Sequence, residues 1–391
     1  MTFSKKFPFT ILIIAISALF VELFFLIDQT GNLNKVETVS KSDFQLSQGK
    51  LLNAVKNDFS LMDDAQNLSY AIKPADLRSW LASSSRDYFG QQQYGVDEEK
   101  VKEYLISMPI TIATQPADGQ LAMDDSNNLI ETVKSEKGLV LNVDATVSNI
   151  ISSLKDGRDW AEIKFDGLEP KISLEKAKEL GVTALLAKGE SNFSNSSSAR
   201  VHNISVGAAI YNGYVIKPGE EFSFNNILGT VDASTGYKPE LVIKNKTVTP
   251  EYGGGLCQVS TTMFRAAVNS GLPITERHAH SFPVSHYNPQ GFDATIYPGV
   301  SDLRFVNDTQ GNILIQSEIH GTSLSFDFFG ASDGRKVVVD GPHILTWDKS
   351  GAMTTILYRH ITYSDGMDKK DSFYSDYKSP ALFPTVQNPL D

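Results

Sequence analysis

Cys257 is the only cysteine among 391 residues, so this chain cannot close an internal disulfide. A single thiol is also too few for a structural zinc site of the cysteine-rich type. The fold must therefore depend on a core large enough to be stable without covalent cross-links. Three interpretations of the residue remain: a small buried hydrophobe, an intermolecular link or a reactive thiol.

A run of three glycines, residues 253–255, stands immediately before Leu256 and Cys257. Glycine permits backbone conformations that other residues avoid and lets a substrate approach the main chain closely. Apolar residues at helical spacing follow the cysteine and lead to a glycine stop: Val259, Met263, Ala266, Ala267 and Gly271. We predict a helix with Cys257 in its first turn, where unpaired N–H groups and the helix dipole stabilise a thiolate.

The N-terminal segment predicts a membrane anchor. Residues 9–27 are largely apolar, with Glu22 as the single charged residue, and the length of the run is close to the roughly 20 residues that cross a bilayer as a helix. Two lysines on the short side favour a cytoplasmic N-terminus, which places everything after Asp28 outside the cytoplasm. A cleaved signal peptide is the alternative, but the end of the run lacks the small residues that a signal peptidase prefers. We expect residues 1–28 to form a cytoplasmic tip and a single-pass anchor in the cell membrane.

The composition is that of a folded protein, with 41% hydrophobic and 21% charged residues. The formal net charge of -11 argues against nucleic acid as a main partner, and against a polybasic contact with lipid. An acidic exported chain instead suits wall polymers or small substrates. The length after the anchor fits two or three domains.

Composition and hydrophobic periodicity divide the exported part into four regions. Residues 29–44 are polar without periodicity and predict a stalk. Residues 45–188 alternate short strands and helices, which predicts an α+β module. The serine- and asparagine-rich run 189–198 predicts a linker or flexible loop, so we place a domain boundary there and a β-rich domain at 189–330. Residues 331–391 predict an appended C-terminal hairpin. The fold class is α+β.

Histidines cluster downstream of the cysteine. A nucleophilic thiol needs a base, and the base needs an orienting partner. Three of the seven histidines fall within residues 274–287, namely His278, His280 and His286, and Asp293 lies between apolar residues of a predicted strand. Glu276, His278 and His280 alternate and would share one face of a strand, so a metal site is an open alternative to a thiol base.

Several motifs along residues 200–330 together resemble the VanW family of bacterial cell-envelope proteins. They run in order from Pro218-Gly219-Glu220-Glu221-Phe222-Ser223-Phe224-Asn225, through Gly236-Tyr237, Gly253-Gly254-Gly255-Leu256-Cys257-Gln258-Val259-Ser260-Thr261-Thr262, Glu276-Arg277 and His280-Ser281, to Asp293-Ala294-Thr295. Residues 95–170 resemble a peptidoglycan-binding domain that often precedes VanW. The resemblance covers an ordered series of motifs rather than one short signature.

The resemblance implies work on peptidoglycan. The family includes a protein carried in glycopeptide-resistance clusters, and some members have been described as L,D-transpeptidases that use the motif cysteine. For this chain it implies Cys257 as the nucleophile, peptidoglycan stem peptides as the partner, and no cofactor or metal.

The chemistry of such a reaction assigns the remaining roles. Attack on a stem-peptide carbonyl needs a base, which would be His280 or His278, and Asp293 would orient His280. It also needs hydrogen-bond donors for the oxyanion, and Arg277 would bind a carboxylate of the stem with its guanidinium. The candidates for substrate binding or the oxyanion are Gly254, Gly255, Gln258, Arg277 and Ser281.

Two alternatives remain at this stage. In the first, the protein is a non-catalytic wall-binding or scaffold protein, and Cys257 is an inert structural thiol. In the second, it is a metal hydrolase built on the Glu276, His278 and His280 face.

Overall fold

The computed structural model describes residues 25–27, 33–35, 41–63, 67–86, 92–108, 112–244 and 247–384. Residues 9–24 of the predicted anchor lie outside this part, and its last residues, Phe25–Ile27, form a short strand paired with Leu33–Lys35. Within the described ranges, none of the helices combines the length and apolar character that a bilayer crossing requires. The predicted stalk is also partly regular, because the Lys41–Ala54 helix begins inside it.

The chain folds into two compact units. The first contains Met1–Gln115 and Lys137–Leu168, and the second contains Pro116–Glu136 and Glu169–Asp391. The second unit therefore takes in a segment that interrupts the first along the sequence. Mixed helices and sheets in both units confirm the α+β class.

The first unit packs helices on small sheets. Its helices are Lys41–Ala54, Pro74–Ser79, Glu98–Ser107 and Val143–Asp156. Its longer strands are Phe59–Asp63, Leu68–Ile72, Leu81–Arg86, Gln92–Val96, Ile112–Thr114, Gly138–Leu141, Trp160–Glu162 and Phe165–Leu168. The helix predicted to start near Asp97 is confirmed, because the Asp97 carboxylate accepts the Lys100 N–H and caps it. Trp80, Phe59 and Ile150 lie in its buried core.

The second unit is built around sheets and two 14-residue helices. An antiparallel sheet joins Ala184–Asn192, Ser323–Gly330, Ile313–His320 and Val215–Ile216, and another joins Glu221–Ser223, Arg304–Val306 and Ile274–Glu276. Two hairpins pair Gln120–Met123 with Leu129–Val133, and Pro239–Lys244 with Thr247–Tyr252. The helices are Leu174–Glu179, Ser198–Tyr211, Phe224–Leu228 and Leu256–Asn269, with short 3-10 turns at Ser285–Tyr287 and Pro380–Leu382.

The Leu256–Asn269 helix, called here the cysteine helix, forms the centre of this unit. Leu256, Gln258 and every residue from Val259 to Val268 are buried, so the helix is enclosed on all sides rather than on one apolar stripe. Phenylalanines from the surrounding strands complete the core: Phe222, Phe305, Phe326 and Phe328. A helix held on all sides gives a rigid base for a residue in its first turn.

The polar run 189–198 does not form the predicted linker. Its first part continues the strand Ala184–Asn192, and its last residue starts the next helix. Gly189 is buried, and a Cβ at this position would lie 2.3 Å from backbone atoms of Thr262 and Ala266. Ser191 is buried as well and shares a hydrogen bond of 2.5 Å with the Thr262 hydroxyl. Small polar residues here reflect close packing against the cysteine helix.

The C-terminal region is a three-stranded sheet rather than a hairpin. Lys336–Trp347, Met353–Thr362 and Asp368–Tyr377 pair in antiparallel order, and we call them the C-terminal sheet. The first strand is interrupted by bulges near Gly341-Pro342, which hides its periodicity in the sequence. Arg359, buried in the middle strand, donates to the carbonyls of Val268 and Leu272. The sheet is thus fastened to the end of the cysteine helix.

Candidate active site

A glycine turn delivers Cys257 to the first turn of its helix, as predicted. Gly255 precedes the helix with φ of 116° and Gly253 has φ of 85°, both in the region that favours glycine. A Cβ on Gly254 would lie 2.8 Å from the Leu241 carbonyl oxygen. The turn therefore needs glycine for both conformation and space, and it leaves the Cys257 side chain half-buried at the surface of a cavity.

His280 lies beside the thiol, and Asp293 holds it there. The carboxylate oxygen Oδ2 of Asp293 accepts both the His280 backbone N–H at 3.0 Å and ring Nδ1–H at 2.5 Å. The Tyr287 ring stacks on the imidazole, with 4.2 Å between centroids. The other ring nitrogen, Nε2, is buried and has no hydrogen-bond partner among the described residues. Nε2 is therefore free to exchange a proton with the thiol or with a substrate.

Asp293 is itself enclosed by donors. Its second oxygen, Oδ1, accepts from Arg277 NH2 at 3.1 Å and from the Tyr377 hydroxyl. Burial raises the pKa of this carboxyl, but the hydrogen bond and charge of His280, then Arg277 and Tyr377, outweigh burial and hold the pKa well below its usual range. Asp293 is thus a permanent anion behind the imidazole.

The pKa values of Cys257 and His280 move in opposite directions. Burial raises the pKa of the thiol, but the adjacent His280, helped by Thr295 and the Ile296 carbonyl group, outweighs burial and lowers it to about 7. Burial lowers the pKa of His280, but Asp293 and then Cys257 outweigh it and raise it to about 9. Between these values the geometry favours a thiolate and an imidazolium, the reactive state of a cysteine nucleophile.

The cavity has a volume of about 630 Å³. Its lining includes Cys257, His280, Thr295 and residues of the hairpin Pro239–Lys244 and Thr247–Tyr252. The thiol lies 3.5 Å from Thr295 Oγ1 and 3.7 Å from the Ile296 carbonyl oxygen. This volume is in the range of small-molecule and peptide sites, so a substrate segment can reach the thiol.

Arg265 is a residue of this site that the sequence analysis missed. It lies on the cysteine helix, and its guanidinium donates to four carbonyl oxygens, those of Glu190, Tyr287, Asn288 and Phe292, at 2.7–3.0 Å. Burial lowers its pKa to about 10. The interaction fixes the loop that leads into Asp293. The signal in the sequence was a single charged residue within an otherwise uncharged helix.

Comparison with known proteins gives this architecture a family. "Uncharacterized protein YoaR" from Bacillus subtilis (strain 168) is 30% identical over 237 residues, which cover 60% of this chain and 76% of that protein. Residues 199–329 match the family model described as "VanW like protein". The chain belongs to the VanW family. The resemblance seen in residues 200–330 is confirmed.

Two further matches concern parts of the chain. The "Vancomycin B-type resistance protein VanW" of Enterococcus faecalis (strain ATCC 700802 / V583) is 39% identical over 114 residues, which cover 28% of this chain and 42% of that protein. Residues 78–160 match the model described as "Putative peptidoglycan binding domain", which confirms the second resemblance. A mutant of an Enterococcus faecium L,D-transpeptidase aligns at 8% identity and a TM-score of 0.22, covering 52% of this chain and 74% of that one. A score this low supports no statement about the present chain.

The predicted oxyanion residues of the VanW domain differ in whether their backbone N–H groups are free. Among the described residues, the N–H groups of Gly254, Gly255 and Cys257 have no acceptor, and all three residues line the cavity. Gln258 is not available, because its N–H donates to the Gly255 carbonyl at 2.9 Å and its side chain is buried. Ser281 is exposed outside the cavity lining, and its carbonyl accepts the Lys378 N–H. Gln258 therefore lacks a free N–H because it is part of the helix, and Ser281 lies outside the cavity lining, so neither has the predicted oxyanion role.

Arg277 does not have the predicted role. Its guanidinium is buried and donates to the Asp293 carboxylate and carbonyl, to the Tyr374 carbonyl and to the Ser375 hydroxyl. These partners occupy the donors that a stem carboxylate would need. In this VanW domain Arg277 therefore connects Asp293 to the C-terminal sheet.

Side-chain direction separates His280 from Glu276 and His278. Glu276 and His278 pair with each other at 3.1 Å on the surface, whereas His280 turns inward to Asp293. In the part of the chain that the structure describes, no three His, Cys, Asp or Glu side chains are grouped to hold a metal ion. His280 lines the cavity with Cys257 and His278 does not, so His280 is the base candidate.

Alkylation of Cys257 by iodoacetamide is expected to titrate near pH 7. Because the pKa of the thiol is lowered in the folded protein, the thiolate persists above about pH 7 and is lost as the pH falls through that value. The His280→Gln variant should titrate well above the wild type, since burial remains while the neighbouring positive charge is removed. Rates measured from pH 5 to pH 10 test this. The chain unfolded in urea supplies the control, and equal pH profiles for folded and unfolded chains would contradict the assignment.

Proposed function

We propose that this VanW-family protein is a cysteine acyltransferase of the L,D-transpeptidase type that acts on peptidoglycan stem peptides outside the cytoplasm. The observation that carries the proposal is the arrangement of Cys257, His280 and Asp293 at one cavity. A thiol beside an imidazole that is itself hydrogen-bonded to a buried carboxylate is the arrangement that nucleophilic acyl transfer requires.

The first half-reaction forms an acyl-enzyme. The Cys257 thiolate attacks a stem-peptide carbonyl carbon, and the resulting oxyanion is stabilised by the free N–H groups of Gly254, Gly255 and Cys257. The carbon–nitrogen bond then breaks, His280 gives its Nε2 proton to the departing amine, and a thioester remains on Cys257. Asp293 keeps the imidazole oriented and stabilises its charged form throughout.

The second half-reaction transfers the acyl group. An amine of another stem peptide attacks the thioester, and His280, now neutral, accepts the proton that this amine loses. Collapse of the intermediate forms a new amide and releases the Cys257 thiolate beside the imidazolium. The starting state is restored without an external oxidant, reductant or metal.

Two features outside the site support an envelope role. The match to a peptidoglycan-binding domain at residues 78–160 supports peptidoglycan as the partner. The apolar run at residues 9–27, after two lysines, supports a single-pass anchor with the bulk of the chain outside the cytoplasm. Such an anchor would hold the acyltransferase close to the polymer on which it acts.

The Cys257→Ala variant is expected to lose cross-linking of purified muropeptides, with a fall of at least about 1000-fold, because Cys257 is the only thiol in the chain. Mass spectrometry of the wild type should also detect a covalent adduct with a carbapenem, and the variant should give none.

Asp327→Asn is the matched control, because it replaces a buried carboxyl outside the cavity lining with an uncharged amide. Cross-linking and labelling that persist in Cys257→Ala would exclude the acyltransferase and leave a non-catalytic wall-binding protein.

A further inference from the structure

Arg200 is a cationic side chain in the wall of the same cavity. It lies in the first turn of the Ser198–Tyr211 helix, which the Ser197 hydroxyl caps, and it lines the cavity together with Cys257 and His280. The mechanism described above gives it no role. Because Arg277 is paired with Asp293, the predicted carboxylate-binding function has no residue assigned to it.

The guanidinium of Arg200 is positioned by neutral partners. Its NH2 donates to the Gln258 side-chain carbonyl at 3.1 Å and to the Tyr287 hydroxyl at 3.4 Å, and the group lies 6.0 Å from the Tyr287 ring centre. Nε is buried and has no acceptor among the described residues. Gln258 and Tyr287 thus hold the planar group while donors remain unused.

The charge of Arg200 also has no counter-ion. Within the described residues no carboxylate lies within ion-pair distance of it, whereas Arg277, Arg335 and Arg359 each pair with an aspartate. Glu240, another residue of the cavity wall, is instead bound by the Ser197 hydroxyl and the Leu241 N–H. A partly buried arginine with a buried, unsatisfied donor is costly unless a ligand completes it.

We propose that Arg200 binds a carboxylate of the peptide substrate and so determines which peptides enter the cavity. The inference rests on the proposed function for the identity of that substrate. A carboxylate matches the guanidinium fork in shape and charge, and Nε supplies a donor that the chain itself does not use. In a stem peptide the carboxylate has two sources, the chain terminus and an internal acidic residue.

Paired alkylating reagents test the anion site without peptidoglycan. Iodoacetate carries a carboxylate and iodoacetamide does not. The alkylation rate with iodoacetate divided by that with iodoacetamide therefore cancels any change in the thiolate population of Cys257. In Arg200→Gln this ratio should fall about fivefold or more at low ionic strength. Arg304→Gln, which lies outside the cavity lining, is the matched control and should keep the wild-type ratio. A ratio unchanged in Arg200→Gln overturns the proposal.

Peptide binding identifies the source of the carboxylate. Calorimetry with the Cys257→Ala protein would compare a tetrapeptide stem, its C-terminal amide and the peptide amidated at its internal acid. We expect one amidation to weaken binding about tenfold, and Arg200→Lys in the same background to weaken the unmodified peptide similarly. Equal affinity for all three peptides would refute a carboxylate anchor. If the wild type failed to cross-link muropeptides but the rate ratio still fell in Arg200→Gln, only the acyltransferase reaction would be refuted.

Discussion

Replacing Asp293 with Asn is expected to reduce acyl transfer by about 100-fold to 10 000-fold, the range seen when the carboxylate behind a catalytic histidine loses its charge. The carboxylate can only accept, so it requires the proton of His280 on Nδ1 and leaves Nε2 facing the cavity. An amide nitrogen at the same place would donate to Nδ1 and move the ring proton to Nε2. The charge that raises the pKa of His280 would be lost as well.

The iodoacetamide titration separates this effect from unfolding. In Asp293→Asn the thiol should titrate above the wild-type value of about 7, because the imidazolium that lowers the pKa of Cys257 is less stable. Asp327→Asn again serves as control, since it also replaces a buried carboxyl with an amide but lies outside the cavity lining. If Asp293→Asn kept full transfer and an unchanged titration, His280 would not depend on Asp293.

The part of this site that sequence could predict is the part built from neighbouring residues. The glycine turn and the helix carrying Cys257 follow from local conformation and periodicity, and both are confirmed. His280 and Asp293 are 13 residues apart, and their chemistry made the pair reasonable before any geometry was known. The sequence left open which histidine side chain turns inward. Alternation places His278 and His280 on the same face only if the segment is a regular strand.

Residues that act across long separations could not be predicted. The Tyr377 hydroxyl donates to Asp293 across a separation of 84 residues. Tyr377 lies in the C-terminal sheet, which the sequence predicted only as an appended hairpin. Arg277 lies in the segment that holds three histidines, and Arg200 follows the serine-rich run 189–198. Only the tertiary contacts show that the first is paired with a carboxylate and that the second has a donor without an acceptor. The prediction of a linker at residues 189–198 was wrong for a related reason. Serine and glycine are typical of loops, but they also permit close packing against a helix.

Replacing Arg277 with Met is expected to destabilise the second unit by about 3–5 kcal/mol, the usual consequence of removing one partner from a buried ion pair. Asp293 would remain buried with a negative charge but without the guanidinium that faces its Oδ1 atom. The bonds from Arg277 to Tyr374 and Ser375 would be lost too, which loosens the C-terminal sheet. Hydrogen exchange of the cysteine-helix amides in increasing urea measures the loss of stability in the second unit specifically.

Arg304→Met is the matched control for that measurement. Arg304 pairs with Glu221, Glu276 and Asp302 but is about one-third exposed, so its loss should destabilise the unit much less than the loss of Arg277. The two possible roles of Arg277 predict opposite patterns. A substrate anchor would give a stable variant with a raised KM for carboxylate-bearing peptides, whereas a positioning residue gives an unstable variant whose Cys257 titrates at higher pH. A stable Arg277→Met protein with an unchanged titration and a raised KM for carboxylate-bearing peptides would therefore assign the carboxylate to Arg277 instead of Arg200.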